Sequence, residues 1–472
     1  MVRQTAAVIT FEIVGGVLLL AIAAAAALAF MLARGPVELN LFKGEIERAL
    51  VEARDGRDVD IERLTLQWSP ADRRMIIAAD NLKLADNDGQ LAAEAEEAVI
   101  TLDAGSLIFG RAEVIEVKLR NGWADVRNIS PTEWTFAGDP LPEFEARTLP
   151  TTAEGWLNLA DRAFGQVLDG LDANRRVSPL ERASYEAMDL RVRDTERAVL
   201  GEMENASGHF SQSADGLDVA LRGSGEGLGL PGDVEAGLTV PADYMAIDLS
   251  LQVENWSVGD LAGRFGLAAD LVSGFPADIG LGLKYQREEG INQISLSADA
   301  GAGKLLLAGT TLDVEALNFE TAYDPQEDRF DIASLDFVTP RASGSLAGEV
   351  SGLIREGGGA QFDLTSNGFE FDATPYFPKA WSFDDVSTKG SLSEDRSSLE
   401  LEAYDFVVNE IRFRGKAKLS DAPEASEGQI PFSLSASGET EGTITAQQVL
   451  DFWPKSLGSG ARNFAEKKIL AG

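Results

Sequence analysis

The chain has 472 residues, 44% of them apolar and 25% charged, enough for a sizeable core and too apolar for an intrinsically disordered protein. Lys plus Arg is 41 and Asp plus Glu is 77, a formal charge of −36, so phosphate backbones are repelled and no nucleic-acid partner is expected. With no cysteine and one histidine, His209, disulfides, thiolate sites and multi-histidine zinc centres are excluded, while 47 glycines favour short strands and turns.

Residues 1–12 form a short tail. The run 13–33 is wholly apolar and includes Ile13, Leu18, Leu19, Leu20, Ile22, Leu28, Phe30 and Leu32. As a helix rising about 1.5 Å per residue it spans about 30 Å, the thickness of a bilayer's hydrocarbon core, and reads as a transmembrane anchor. Ala27-Leu28-Ala29 resembles a signal-peptide cleavage site, yet the run exceeds the usual apolar core of such peptides. Arg3 on one side and Arg34, Lys43 and Arg48 on the other leave the orientation open.

Residues 34–58 read as a linker and an amphipathic helix. Over 38–54, Leu39, Phe42, Ile46, Leu50 and Val51 recur at helical spacing, and Gly56 is a stop. From 59 to 138 the period becomes two, as in Ile115, Val117 and Leu119 alternating with Glu116, Lys118 and Arg120. Residues 139–179 contain the linker Asp139-Pro140-Leu141-Pro142 and a second helix over about 151–173. Thr151 and Glu154 fit a capping box there, and Trp156, Leu157, Phe164, Val167 and Leu168 form an apolar stripe.

Over 180–445 the alternation is monotonous: Leu217/Val219/Leu221, Ile247/Leu249/Leu251/Val253, Ile279/Leu281/Leu283/Tyr285, Leu399/Leu401 and Ile411/Phe413. Turn signals such as Gly223-Ser224-Gly225 and Asp324-Pro325 separate the runs, which predicts an antiparallel sheet. Residues 446–472 are helical in character, with a break at Pro454. The class is mainly β with a few amphipathic helices. The continuous apolar face of such a sheet must be covered by a second sheet, by helices or by an apolar ligand. A sandwich satisfies the pattern, and so does an open trough filled by lipid tails. The candidate trough residues are Leu221, Leu249, Leu251, Val253, Leu281, Leu283, Leu296, Leu401, Phe413 and Leu434.

No catalytic constellation accompanies this face. Gly-x-Ser-x-Gly is absent, and Gly303-Lys304 and Gly415-Lys416 lack the Ser or Thr of a phosphate loop. Acid pairs such as Asp384-Asp385 are expected by chance among 77 acids. No catalytic residue, metal ligand or cofactor is assigned, and the chain is read as a non-enzyme.

Several segments resemble the AsmA-like family of Gram-negative envelope proteins. They are Val59-Asp60-Ile61-Glu62-Arg63-Leu64-Thr65-Leu66-Gln67-Trp68, the stretch Ala79 to Asp86 with its turn at Asp88-Gly89, and above all 106–122, containing Leu107-Ile108-Phe109-Gly110-Arg111. Phe452-Trp453-Pro454 followed by Ala461-Arg462-Asn463-Phe464 resembles a helical insert of longer members. The resemblance implies an inner-membrane anchor with the bulk of the chain in the periplasm. It implies an elongated, twisted antiparallel β-groove whose apolar interior carries phospholipid acyl chains toward the outer membrane. It also implies that the chain is an amino-terminal fragment of a longer protein, with inner- or outer-membrane protein partners. The alternative function is an envelope scaffold or assembly factor that binds outer-membrane proteins by β-augmentation.

Overall fold

The structure, a computed structural model, describes residues 35–455 except 41–42, 70–73, 104, 107–112, 131–132, 142–152, 175–179, 226–231, 258–271, 274–275, 308–309, 355–358, 375, 396, 422–431 and 443, together with 460 and 464. The expected membrane helix 13–33 and the Thr151 capping box lie outside the described residues. Among the described residues no helix is long and apolar enough to cross a membrane. The fold is mainly β, in two compact units: Met1–Thr148 with Asp172–Gly229, and Leu149–Leu171 with Leu230–Gly472.

The first unit contains β1 (Val37–Glu38), α1 (Lys43–Ala53), β2 (Val59–Ser69), β3 (Arg74–Ala85), β4 (Leu91–Asp103) and β5 (Val114–Ser130). The short β6 (Glu133–Phe136) and β7 (Asp139–Pro140) follow, and then β8 (Arg182–Arg193), β9 (Val199–Ser213) and β10 (Gly216–Ser224). The helix expected from residue 38 begins only at Lys43, because Val37 and Glu38 are drawn into pairing with Leu66 and Thr65. Ile46, Leu50 and Val51 of α1 then pack on Ile61 and Leu64, each 1% exposed. Gly56, at φ +91°, donates its N–H to Val51 O at 2.8 Å and ends the helix as expected.

Neighbouring strands pair antiparallel from β1 through β5, but β5 and β8 run parallel, from Glu116 opposite Arg182 to Arg127 opposite Arg193. This corrects the expectation of a wholly antiparallel sheet. Parallel neighbours need a long crossover connection, and here that connection carries the helix α2 (Ala153–Asn174). The pairing also places β8, β9 and β10 in the first unit rather than with the later strands. A second correction concerns Gly223-Ser224-Gly225, expected as a turn: Gly223 and Ser224 are the last two residues of β10, and only Gly225 lies beyond it. A Cβ on Gly223 would lie 2.7 Å from Met203 Cγ, so the glycine permits close strand approach.

The five strands β2, β3, β4, β5 and β8 switch the parity of their inward face along one row. The inward residues are three apart at the switch: Ile61 and Leu64, Ala79 and Leu82, Ala95 and Ala98, Leu119 and Gly122, Tyr185 and Met188. Asn81, Asn121, Ala187 and Asn205 stand in or beside the row with φ of 54°, 49°, 53° and 51°. Asn tolerates this left-handed conformation, and Asn81 and Asn121 donate side-chain N–H to Glu62 and Glu96 at 3.0 and 3.1 Å. From β2 through β8 the extra residues are aligned, so neighbours stay in register while the sheet creases, as bulges bend strands.

The second unit is an antiparallel meander through β11 (Asp233–Pro241), β12 (Ala246–Ser257), β14 (Pro276–Gln286), β15 (Gly290–Ala300), β18 (Ala316–Asp324), β19 (Arg329–Val338) and β20 (Ala342–Ser351). It continues through β21 (Ala360–Ser366) and β22 (Phe369–Phe371), both paired between β20 and β23 (Trp381–Leu392). Beyond lie β24 (Ser398–Val408), β25 (Ile411–Asp421) and β26 (Phe432–Glu441). A separate small sheet joins β13 (Val272–Ser273), β16 (Gly303–Leu307) and β17 (Thr310–Val314). The helix α3 (Ala446–Asp451) starts at a Thr445–Gln448 capping box and stops before Pro454.

Candidate functional site

In the first unit α1 covers the β2 end of the apolar sheet face, and the rest of that face borders a cavity of about 560 Å³. Leu82 and Leu84 of β3, Ala93 and Ala95 of β4, and Val117, Leu119 and Ala124 of β5 line it. The lining continues through Ala183, Tyr185, Met188 and Leu190 of β8, Phe210 of β9, and Val219 and Leu221 of β10, with Phe136 and Ala137 closing one side. Six strands contribute, so at about 4.8 Å per strand the lining extends about 24 Å across the sheet. Alanine and glycine make the room: larger side chains at 93, 95, 124 and 183 would fill it.

The charged groups at the rim are already engaged. Asp139 takes Arg54 Nε at 3.0 Å and Arg57 Nε at 2.9 Å, Glu94 lies 3.7 Å from Lys83 Nζ, and His209 Nε2 lies 2.6 Å from Asp218 Oδ1. Burial pushes the Tyr185 phenol above its usual pKa. An apolar chamber of this size has room for hydrocarbon. A cavity of about 150 Å³ accepts benzene, with six carbons, so 560 Å³ has room for roughly twenty carbons.

In the second unit the candidate leucines share one face in register. Leu249 and Leu251 of β12 stand opposite Leu283 and Leu281 of β14, and Leu281 stands opposite Leu296 of β15. The ends of these strands are covered: Ile247, Val253 and Tyr285 are 0%, 3% and 5% exposed. At the Tyr285 end α2 lies over the sheet, with Phe164 5.8 Å from Tyr285 and Asp161 accepting the Ile291 N–H at 3.2 Å. At the other end Ile279, Ala277 and Ala300 pack with Val314 of the small sheet. Between them Leu281 and Leu296 each remain 36% exposed. Val253 is therefore a core residue, whereas Leu249, Leu251, Leu281, Leu283 and Leu296 form a partly open apolar strip. A depression of about 480 Å³ on the same strands is lined by Ser250, Gly280, Gly282, Ser295 and Ser297 together with Leu251, Leu281 and Leu296.

Farther along, Leu401 stands opposite Gly390 and Ala417 and is half-buried. Phe413 belongs to a chain of rings, 5.6 Å from Phe406 and 5.9 Å from Phe452, that continues through Phe383, Phe369 and Phe337. The end of α3 and the residue after it lie over this chain, with Phe452 5.8 Å from Trp381 and Asp451 2.8 Å from Lys379. Leu434 is placed by its backbone opposite Leu419, and its side chain lies outside the described residues.

The sequence reading singled out large residues and so reached Leu221 alone in the first-unit cavity. The alanines and Gly208 that make the space were missed; their signal was the small residue recurring at inward positions of β4, β5 and β8. Among the described residues no group of three or more His, Asp or Glu side chains is placed to hold a metal ion. No family model matches the chain, and no curated protein matches it.

Proposed function

We propose that this chain is a periplasmic lipid conduit anchored in an inner membrane by residues 13–33, in which apolar β-sheet faces carry phospholipid acyl chains toward an outer membrane. The reading takes the AsmA-like resemblance as its starting point and makes the sheet a groove. The observation that carries it is the apolar face left partly open in each unit: the 560 Å³ chamber in the first, and the strip around Leu281 and Leu296 in the second. A sixteen-carbon tail in water costs about 13 kcal/mol at about 0.8 kcal/mol per methylene, so a hydrocarbon-lined path removes most of the barrier to crossing an aqueous compartment. Three residues lie between Ala33 and Val37, four steps with a reach of at most about 14 Å, which would hold the first unit close to the membrane its anchor occupies.

The scaffold alternative draws on one feature. Strand β26 pairs with β25 through ten residues without a bulge, and among the described residues its outer edge has no partner strand, the arrangement that β-augmentation uses. Photocrosslinking amino acids at Leu281 and Leu296 in cells separate the two. Acyl-chain adducts are expected. Adducts of polypeptide alone would replace the conduit with the assembly factor.

A further inference from the structure

The lining of the first-unit chamber has five polar residues, Glu94, Asp139, Ser184, His209 and Tyr185, of which Asp139, Glu94 and His209 are paired with Arg54 and Arg57, with Lys83, and with Asp218 respectively. The neighbours of Tyr185 on the inward face of β8 and across β5 and β9 are Ala183, Met188, Leu119 and Phe210, all without a polar donor. Tyr185 stands opposite Gly208 of β9, which in turn stands opposite Leu221 of β10. A Cβ on Gly208 would lie 2.6 Å from both Cζ and Oη of Tyr185. The ring therefore lies across the bare glycine, and its hydroxyl reaches over β9 toward Leu221. Among the described residues no hydrogen-bond partner meets that hydroxyl. The hydroxyl is not sealed from solvent, so water or an oxygen of an occupant can serve as its partner.

We infer that the Tyr185 hydroxyl is a specificity-determining donor for the chamber's occupant, hydrogen-bonding an ester or carboxyl oxygen at the head of an acyl chain while the chain fills the space beyond. The inference rests on the lipid reading of this same site and deepens it. The ligand class becomes acyl esters and fatty acids, chosen over plain hydrocarbon. Leu190, Ala124 and Phe136 lie farther along the strands and supply the carbon-lined remainder. Phenylalanine at 185 would keep the ring over Gly208 and remove only the donor.

The test uses the full chain and its Tyr185→Phe variant, with methyl palmitate and hexadecane competing separately against a fluorescent acyl probe. The expected result is a five- to tenfold weaker competition by methyl palmitate in the variant, the loss of about one hydrogen bond, with hexadecane unchanged. The ester carbonyl stretch of bound methyl palmitate, read by infrared spectroscopy, should sit at lower frequency in the wild type and shift upward in the variant. A purely packing role for the ring would not move that band. Unchanged competition and an unshifted band overturn the inference and leave the conduit standing. Failure of both probe competitors to bind wild-type protein overturns the inference together with the reading beneath it.

Discussion

Replacing Ala183 with leucine should narrow the first-unit chamber without disturbing the strand that carries it. Ala183 is only partly buried, lines the cavity and sits between Val117 and Phe210 in register. Leucine adds three carbons to a space with room for roughly twenty. An acyl chain long enough to fill the chamber then loses about three methylenes of burial, about 2.4 kcal/mol at about 0.8 kcal/mol each, so its dissociation constant should rise roughly fifty-fold. Glu186→Leu places the same leucine at a nearby exposed site, where Glu186 pairs with Arg120, and should leave affinity unchanged. The readout is equilibrium titration of the whole chain with a fluorescent fatty acid, beside a urea unfolding curve for each variant. An Ala183→Leu protein of unaltered stability that binds the probe as tightly as wild type would refute the placement of the acyl chain in this chamber.

Three further outcomes follow from the geometry. Leu281→Ala, at a 36% exposed position, should cost well under about 2 kcal/mol, whereas Ile247→Ala, at 0% exposure, should cost about 2–5 kcal/mol; equal urea midpoints would contradict an open strip over a closed end. Ala187 holds φ +53° without the benefit of asparagine or glycine, so Ala187→Gly should stabilise by about 0.5–1 kcal/mol, and a lower unfolding midpoint would argue against the crease. The hydroxyls of Ser393 and Ser397, each 2.7 Å from Asp395, hold that carboxyl down to about 2 from an ordinary value of 3.8. A depressed folded-state pKa means that its contribution to stability is present above 3.8 and is lost as pH falls through about 2. Ser397→Ala should raise the Asp395 midpoint in a carboxyl NMR titration, and an unmoved midpoint would exclude the hydroxyl as the cause.

Local features were readable in the residues. Helical spacing of Ile46, Leu50 and Val51, and of Phe164 and Leu168, marked α1 and α2, and strict alternation marked β12 and β14 with their inward leucines in phase. The parallel pairing of β5 with β8 was not readable, because nothing within either strand states which neighbour it will meet across an intervening helix. The crease was written as apolar pairs three apart, such as Ile61 and Leu64 or Ala95 and Ala98, but a single strand with that spacing resembles an interrupted pattern. Only alignment across neighbours gives it meaning. The chamber was hidden for a different reason: hydrophobic patterning ranks leucine above alanine, while a cavity is made by the residues that fail to fill it.

Native mass spectrometry of the whole chain, extracted from membranes and exchanged into a mild detergent, tests the conduit most directly. Mass increments matching diacyl phospholipids, reduced in Ala183→Leu, are the predicted result. A bare protein mass, from a preparation whose Leu281 and Leu296 are shielded by polypeptide, would contradict it.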